Sequence, residues 1–357
     1  MKTYPWLLPL SWLYGLGVRL RNAMYDCGLM ESRAYGVPLI CVGNLTVGGT
    51  GKTPHTEYLV RLLHDVWRVG IVSRGYKRKT RGLVVATEFS TSAEIGDEPW
   101  QMKQKFKDVA MAVCGNRRMA IEKLMSAPAG QQPQVVLLDD AFQHRSVKAG
   151  FNILLTDYNR LISDDLLLPA GRLREPFSGR RRADVVIVTK SPHDIDGAAQ
   201  QRIKEKLRLL SDQRLFFTCQ KYMPLKRVSG EEAIPFESLG NYPSVLIICG
   251  IATPQFLVRD VKARGVSVKT MAFPDHHAFT HEDIIRMNQS FAPIAASGGI
   301  ALTTEKDAAR LHMCEGLSQE LKDKLYVLPL EIAFLNSQSS IFNELVSDYV
   351  RENQANS

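Results

Sequence analysis

From Pro38 onward, short runs of branched aliphatic residues alternate with segments of helical spacing. The runs at 39–42, 69–72, 109–113, 135–138, 153–155 and 185–189 are nearly continuous in apolar residues, as in strands covered on both sides. Between them, residues 55–64 and 117–124 repeat their apolar positions at helical intervals. That alternation predicts a parallel sheet with helices on both faces. Residues 191–210 read as a polar helix. A second set of strands follows at 215–217, 245–249, 300–303 and 326–328. The expected organisation is an α/β core over residues 31–210, a smaller C-terminal α/β lobe over 211–350, and a polar tail at 351–357 that frays.

The N-terminus has a different pattern. Residues 5–18 are rich in Trp, Leu and Tyr and are followed by Arg19 and Arg21. The run is shorter than the roughly 20 residues of a spanning helix, and Pro9, Gly15 and Gly17 interrupt it. No small-residue cleavage site follows, which argues against a signal peptide. Trp6, Leu10, Leu13, Gly17, Leu20 and Met24 recur on one helical face. Trp6, Trp12, Tyr14 and Tyr25 suit a membrane interface, and Lys2, Arg19 and Arg21 suit lipid phosphates. Residues 1–30 are therefore expected to form an amphipathic helix on a membrane surface. The competing reading packs that helix on the protein's own core.

Composition narrows the class. Of 357 residues, 45% are hydrophobic and 23% charged, which fits a globular chain rather than a disordered one. A net charge of +8 favours anionic partners such as nucleotide, nucleic acid or acidic headgroups. The six cysteines are scattered, with no C-x-x-C pair, and several sit in apolar runs. Reduced buried thiols are expected, without disulfides or structural zinc.

The most informative segment runs from Leu39 through Val42 into Gly43-Asn44-Leu45-Thr46-Val47-Gly48-Gly49-Thr50-Gly51-Lys52-Thr53-Pro54. A buried strand enters a Gly-rich turn and then a helix. Backbone N–H groups in such a turn curl around a phosphate, and the helix presents its positive end to the same anion. Thr46, Val47, Gly48, Gly49, Thr50, Gly51, Lys52 and Thr53 are the expected nucleotide-binding residues. Lys52 reaches the β- and γ-phosphates, and the Thr53 hydroxyl ligates Mg²⁺. The usual pattern is G-x-x-x-x-G-K-S/T, and Thr46 stands where its first Gly would be. A class of membrane-associated, dimerising ATPases carries Lys just before the Gly-Gly pair. Val47 occupies that place here and weakens a regulatory-ATPase reading.

Residues 135–138 end in Asp139 and Asp140, the form in which a buried strand delivers a carboxylate to the phosphate edge of a sheet. Either acid would hold Mg²⁺ or its water shell. Gln143 and His144 follow closely enough to face the same nucleotide. Transfer to an alcohol also needs a base. The sequence offers Asp97 and Glu98 in Gly96-Asp97-Glu98-Pro99, or His276 and His277 after Asp275. The adenine contacts are not identified; Thr189-Lys190 at a strand end is one option.

Taken in order, Val42-Gly43-Asn44, the phosphate loop, Ser73-Arg74-Gly75-Tyr76, Gly96-Asp97-Glu98-Pro99 and Leu138-Asp139-Asp140-Ala141-Phe142-Gln143-His144 resemble the tetraacyldisaccharide 4′-kinase family. The series continues with Leu168-Pro169-Ala170-Gly171-Arg172-Leu173-Arg174-Glu175-Pro176, Phe273-Pro274-Asp275-His276 and Thr304-Glu305-Lys306-Asp307-Ala308. The resemblance spans nearly the whole chain. It implies a P-loop NTPase-type core with a smaller C-terminal lobe. The implied reaction uses ATP and Mg²⁺ to phosphorylate the 4′-hydroxyl of a tetraacylated glucosamine disaccharide 1-phosphate, giving lipid IVA at the cytoplasmic face of the bacterial inner membrane. It implies Asp97 as base assisted by His276, with His277 an adjacent alternative, and Glu98, Asp139 and Asp140 around Mg²⁺. Asn44, Arg74, Tyr76, Arg172 and Arg174 are the substrate-side candidates, and Lys77, Arg78 and Lys79 are either further phosphate contacts or a solvated basic loop. The expected partners are the lipid disaccharide and an anionic membrane surface, with no nucleic acid and no obligate protein partner. The competing functions are a membrane-associated P-loop ATPase switch and a cytosolic small-molecule kinase or ligase. The last gives no reason for the N-terminal helix.

Overall fold

The computed structural model describes residues 3–354 except 231, 252–253, 275–276 and 312–313. In chain order the first unit contains α1 (Leu8–Asp26), β1 (Leu39–Asn44), α2 (Lys52–Leu63), β2 (Val69–Ser73), β3 (Val84–Val85), α3 (Ser92–Ile95), α4 (Asp97–Lys105), β4 (Ala110–Val113), α5 (Arg117–Met125), β5 (Val135–Asp139), β6 (Phe151–Asp157), β7 (Val185–Thr189), α6 (Gly197–Leu207) and β8 (Arg214–Tyr222). The second unit holds β9 (Leu225–Arg227), β10 (Ala233–Ile234), β11 (Ser244–Cys249), α7 (Pro254–Lys262), β12 (Ser267–Ala272), α8 (His281–Ala296), β13 (Ile300–Thr304), α9 (Glu305–Leu311), α10 (Gln319–Lys324) and β14 (Leu325–Leu328). The chain then returns to the first unit through β15 (Leu330–Phe334) and α11 (Ser339–Gln354).

The first sheet has the order β15-β8-β7-β6-β1-β5-β2-β4-β3. The ladders from β8 across to β4 are parallel, and β3 closes one edge antiparallel. Alternation of side chains along a strand sends Leu39 and Cys41 into one core and Ile40 and Val42 into the other. Leu124 of α5 and Leu207 of α6 cover the first face; Leu59, Leu63, Met102 and Phe342 from α2, α4 and α11 cover the second. This sandwich leaves the strand ends as the place for loops that bind.

The second unit is a smaller sheet ordered β10-β9-β14-β13-β11-β12, with a parallel centre. Leu257 and Val261 of α7 cover one face of it, and Ile284, Met287 and Phe291 of α8 the other.

The limits drawn from sequence shift. The first unit comprises residues 1–220 and 332–357, and the second 221–331. Residues 215–217 belong to β8 of the large sheet, not to the smaller lobe, because Val185↔Arg214 starts a parallel ladder with β7. Residues 332–350 also rejoin the large sheet's side of the chain. Phe342, Val346 and Val350 sit at four-residue spacing and bury against the second core, at about 1.5–3 kcal/mol each. Arg351 to Gln354 continue α11 rather than fray; residues 355–357 lie outside the described set.

Helix α1 runs unbroken through Pro9, Gly15 and Gly17. Pro9 falls in the first turn, where no helical N–H is lost. Ser11 and Gly15 are the buried positions, and a Cβ on Gly15 would come within 2.6 Å of Leu167 Cδ1. The small residues thus face the protein, while Trp6, Leu10, Trp12, Leu13, Leu16 and Leu20 are exposed. Among the described residues no helix is long and apolar enough to cross a membrane.

Candidate active site

Strands β1, β5 and β2 are neighbours running the same way, so Asn44, Asp139 and Ser73 finish on one edge of the sheet. The turn at 45–51 joins β1 to α2. Gly51 has φ +84°, a conformation that a side chain disfavours, and it caps α2 so that Lys52 and Thr53 open the helix. The first turn of α2 therefore presents unpaired N–H groups and a partial positive charge at the loop.

Asn44 organises this turn from inside. Its Nδ2 donates to Thr50 Oγ1 at 2.7 Å and to Thr46 Oγ1 at 3.4 Å, and Arg174 donates to its Oδ1. Gln143 Nε2 donates to its backbone carbonyl at 2.7 Å. Asn44 is 0% exposed with its amide fully engaged, so the expected substrate contact gives way to a role in shaping the loop. Residues 172–174 run antiparallel to 45–47. The Val47 N–H donates to the Arg172 carbonyl at 2.8 Å, and the Arg174 N–H to the Leu45 carbonyl at 2.7 Å. A Cβ on Gly48 would lie 3.8 Å from Arg172 Nη1, so both arginines flank the phosphate loop.

The two acids after β5 diverge in character. Asp140 is partly exposed and adopts φ +45°. Its carboxylate lies 3.8 Å from Lys52 Nζ and 2.8 Å from Arg174 Nη2. Burial would raise its pKa, but Lys52 and Arg174 prevail and hold it below the usual range. Asp139 is 1% exposed and accepts from Thr56 Oγ1 at 3.3 Å and Ser73 Oγ at 3.1 Å. Burial, with the charges of Glu98 and Asp140, pushes its carboxyl up to about 7. A folded-state pKa raised above the ordinary value of about 3.9 gives stability that is complete below that pH and is lost as pH rises towards 7. We therefore expect the melting temperature of the nucleotide-free protein to fall relative to Asp139→Asn across that window. A pH-independent gap between the two would contradict it.

The turn at 96–99 meets the turn at 73–76. A Cβ on Gly96, at φ +94°, would stand 3.0 Å from the Tyr76 carbonyl, so only glycine lets the chains cross there. Asp97 opens α4, half-buried, and Glu98 raises the pKa of Asp139, so its charge reaches the same sheet edge. Arg74 is exposed, yet its charge is felt at His144 and Arg117. Tyr76 is also exposed. Burial, aided by Arg117 and Arg74, pushes the His144 pKa down to about 4, which leaves a neutral ring beside the acids. The Gln143 carbonyl accepts from Arg21 Nη2 of α1 at 3.1 Å.

His276 lies outside the described residues. In the second unit, His277 stacks on Phe273 with ring centres 5.0 Å apart, and its Nε2 lies 2.7 Å from Asp283 Oδ2.

Arg117 and His55 at this edge were not singled out from sequence, and Lys190 was offered only as an adenine contact. Arg117, 1% exposed, donates to the Cys114 carbonyl at 2.7 Å, and both Asp139 and Asp140 act on it. The signal available was an Arg opening a helix directly after a strand and Gly115-Asn116. His55 is buried; its Nδ1 is 2.6 Å from the Gly51 carbonyl and its Nε2 is 3.0 Å from Thr218 Oγ1. Burial pushes its pKa down to about 4 and keeps the ring neutral. Lys190 donates to the Gly49 carbonyl at 2.5 Å and to Asp157 Oδ2 at 2.7 Å.

A family model described as "Tetraacyldisaccharide-1-P 4'-kinase" matches residues 3–351. The chain is 46% identical over 362 residues to a "Tetraacyldisaccharide 4'-kinase" of Bacteroides fragilis, covering all of this chain and 96% of the relative. It is 47% identical over 368 residues to the protein of that name from Bacteroides thetaiotaomicron, again covering all of this chain and 96% of the relative. The crystal structure of the "apo" form of LpxK from Aquifex aeolicus in complex with ATP superposes with a TM-score of 0.74 at 30% identity, covering 96% of this chain and 98% of that one. A phosphate loop fed by β1, the acid pair after β5, and relatives matched end to end lead to one conclusion: the chain belongs to the tetraacyldisaccharide-1-P 4'-kinase family.

Proposed function

We propose that this chain transfers the γ-phosphate of ATP to the 4′-hydroxyl of a tetraacyldisaccharide 1-phosphate at a membrane surface. The observation that carries the reading is the convergence of Lys52, Asp139 and Asp140 on the phosphate loop, in a chain whose relatives bear that kinase name along their full length. The loop fits a nucleotide triphosphate. It offers the open end of α2, Lys52, and the flanking guanidinium group of Arg172, whose buried Nε has no partner.

The residues also fit Mg²⁺. Among the described residues no three acidic, His or Cys side chains form a closed cage. Mg²⁺ instead takes one or two carboxylates, water and substrate phosphates. Asp139, Asp140, Glu98 and Thr53 are the side chains that would hold it, and the ion would neutralise charge on the transferring group. Lys52 and Arg172 hold the phosphates in line. Asp97 accepts the proton of the attacking 4′-hydroxyl while the bond to the β-phosphate oxygen breaks and ADP leaves. Arg74, Tyr76 and Arg174 line the acceptor side.

The acyl chains stay in the bilayer while α1 lies in its interface, at the cytoplasmic face of the inner membrane. Trp6, in the turn just before α1, and Trp12, within α1, are 75% and 71% exposed. Changing both to Ser should weaken binding to anionic vesicles about tenfold, from the apolar area lost. Sedimentation with vesicles measures this, and undiminished binding would remove the membrane role of α1. The reaction itself is tested with γ-labelled ATP. Label should enter the organic-soluble lipid and vanish when EDTA removes Mg²⁺. Label recovered only as free phosphate would favour an ATPase instead.

A further inference from the structure

Two carbonyl groups of the phosphate loop are held by side chains from elsewhere in the first unit. Lys190, just past β7, donates to the Gly49 carbonyl at 2.5 Å and is itself fixed by Asp157 at the end of β6. Its backbone takes φ +56°, a conformation uncommon outside glycine and costly for a lysine without compensation. His55, one turn into α2, lies 2.6 Å through Nδ1 from the Gly51 carbonyl. A carbonyl only accepts, so Nδ1 carries the proton. The neutral ring then accepts at Nε2 from the Thr218 hydroxyl of β8, 3.0 Å away.

The peptide unit is planar and trans, so its C=O and N–H point in opposite directions. A carbonyl anchored on one side of the loop turns the following N–H to the other. Anchoring the Gly49 carbonyl fixes the tight turn in which the Thr50 amide donates to the Gly48 carbonyl at 3.1 Å, and anchoring the Gly51 carbonyl, which also accepts from the His55 N–H at 3.3 Å, orients the amide of Lys52. Glycine-rich chain otherwise samples many orientations, and ordering it on binding costs free energy. A free loop carbonyl would also be able to turn towards a phosphate and repel it.

We infer that Lys190 and His55 are positioning residues that lock the Gly49 and Gly51 peptide planes, so that the loop meets the polyphosphate already formed. Each acts through backbone rather than on the reacting atoms. The inference rests on the nucleotide reading above and deepens it. It also replaces the adenine contact offered for Lys190 by sequence with a role at the phosphates.

The test measures binding of Mg-ATP and of Mg-tripolyphosphate to the full-length protein by calorimetry, alongside melting temperature. A lost charge-assisted hydrogen bond costs about tenfold in affinity. Lys190→Met is therefore expected to weaken both ligands about tenfold, and Lys190→Arg to recover most of the loss. Because His55 is neutral, His55→Phe changes no charge. A parallel loss of both ligands there separates loop geometry from simple electrostatics. If His55→Phe does not melt cooperatively, Thr218→Val, which removes only the outer hydroxyl, should weaken both ligands several-fold. Affinities within twofold of the unaltered protein in the folded variants would overturn the inference. So would a Lys190→Met defect confined to ATP, which would mark a base contact. Should the unaltered protein bind neither ligand, the nucleotide reading would fall first, and the clamp with it.

Discussion

Asp97→Ala should lower kcat by about 10²–10⁴ while ATP affinity moves by less than about threefold. Asp97 opens α4 at the edge where β5 and β2 deliver Asp139 and Ser73, and Gly96 pins its turn against the 73–76 turn. A base touches the acceptor proton rather than the nucleotide, so its loss belongs in turnover. Asp97→Asn keeps the shape and removes the basicity, and it should be about as slow. Near-normal turnover in either variant would place the base elsewhere, and the pH profile of the variant would then point to the replacement.

The second large effect is at Lys52. Lys52→Ala should cut kcat/KM by about 10³, with both ATP binding and transfer impaired. Lys52 is the first residue of α2, and its ammonium lies 3.8 Å from Asp140. In the role proposed for it, Lys52 would meet the phosphates in the ground state and the developing charge in the transition state, unlike Asp97. Its loss also leaves Asp140 with Arg174 as its close cation, so the Asp140 pKa should rise. Unchanged kinetics would take the phosphate loop out of the chemistry.

The central strands were legible because they are buried on both faces and read as unbroken apolar runs. The segments proposed for the site stood out because Gly51-Lys52-Thr53 opens a helix after a glycine-rich turn and Asp139-Asp140 lies at a strand end, patterns read directly from residue type. Other features depend on distant partners. β12 has mostly exposed and half-exposed side chains, and β3, β9 and β10 have two or three residues each, too few for a period. The assignment of β8 and α11 to the large sheet's unit follows from strand order, which no local pattern encodes. Helix α1 was visible as a pattern, but its small-residue inner face was not. Ser11 is buried there because its hydroxyl bonds the Leu167 carbonyl at 3.0 Å and receives the Ala170 N–H at 2.9 Å. Arg117 and His55 escaped for the same reason, and the loop contacts of Asn44 and Lys190, which the sequence offered as substrate and adenine contacts, were hidden with them, since each is defined by a bond to residues far along the chain.

These contacts order the site from backbone outward: strand ends set the edge, side-chain bonds shape the loop, and charges divide the acids. Asp140 is kept ionised by cations, whereas Asp139 is held near neutrality by burial. Two neighbouring carboxyls with different affinities for protons can take different roles around one nucleotide.

The claim on which this depends is that a phosphoryl group passes from nucleotide to a sugar alcohol on a lipid. Mass spectrometry of the lipid recovered after incubation with ATP, Mg²⁺ and tetraacyldisaccharide 1-phosphate measures it directly. The expected product is heavier by one phosphate, with fragments placing it on the sugar distal to the 1-phosphate. An unchanged lipid beside accumulating ADP and free phosphate would contradict it.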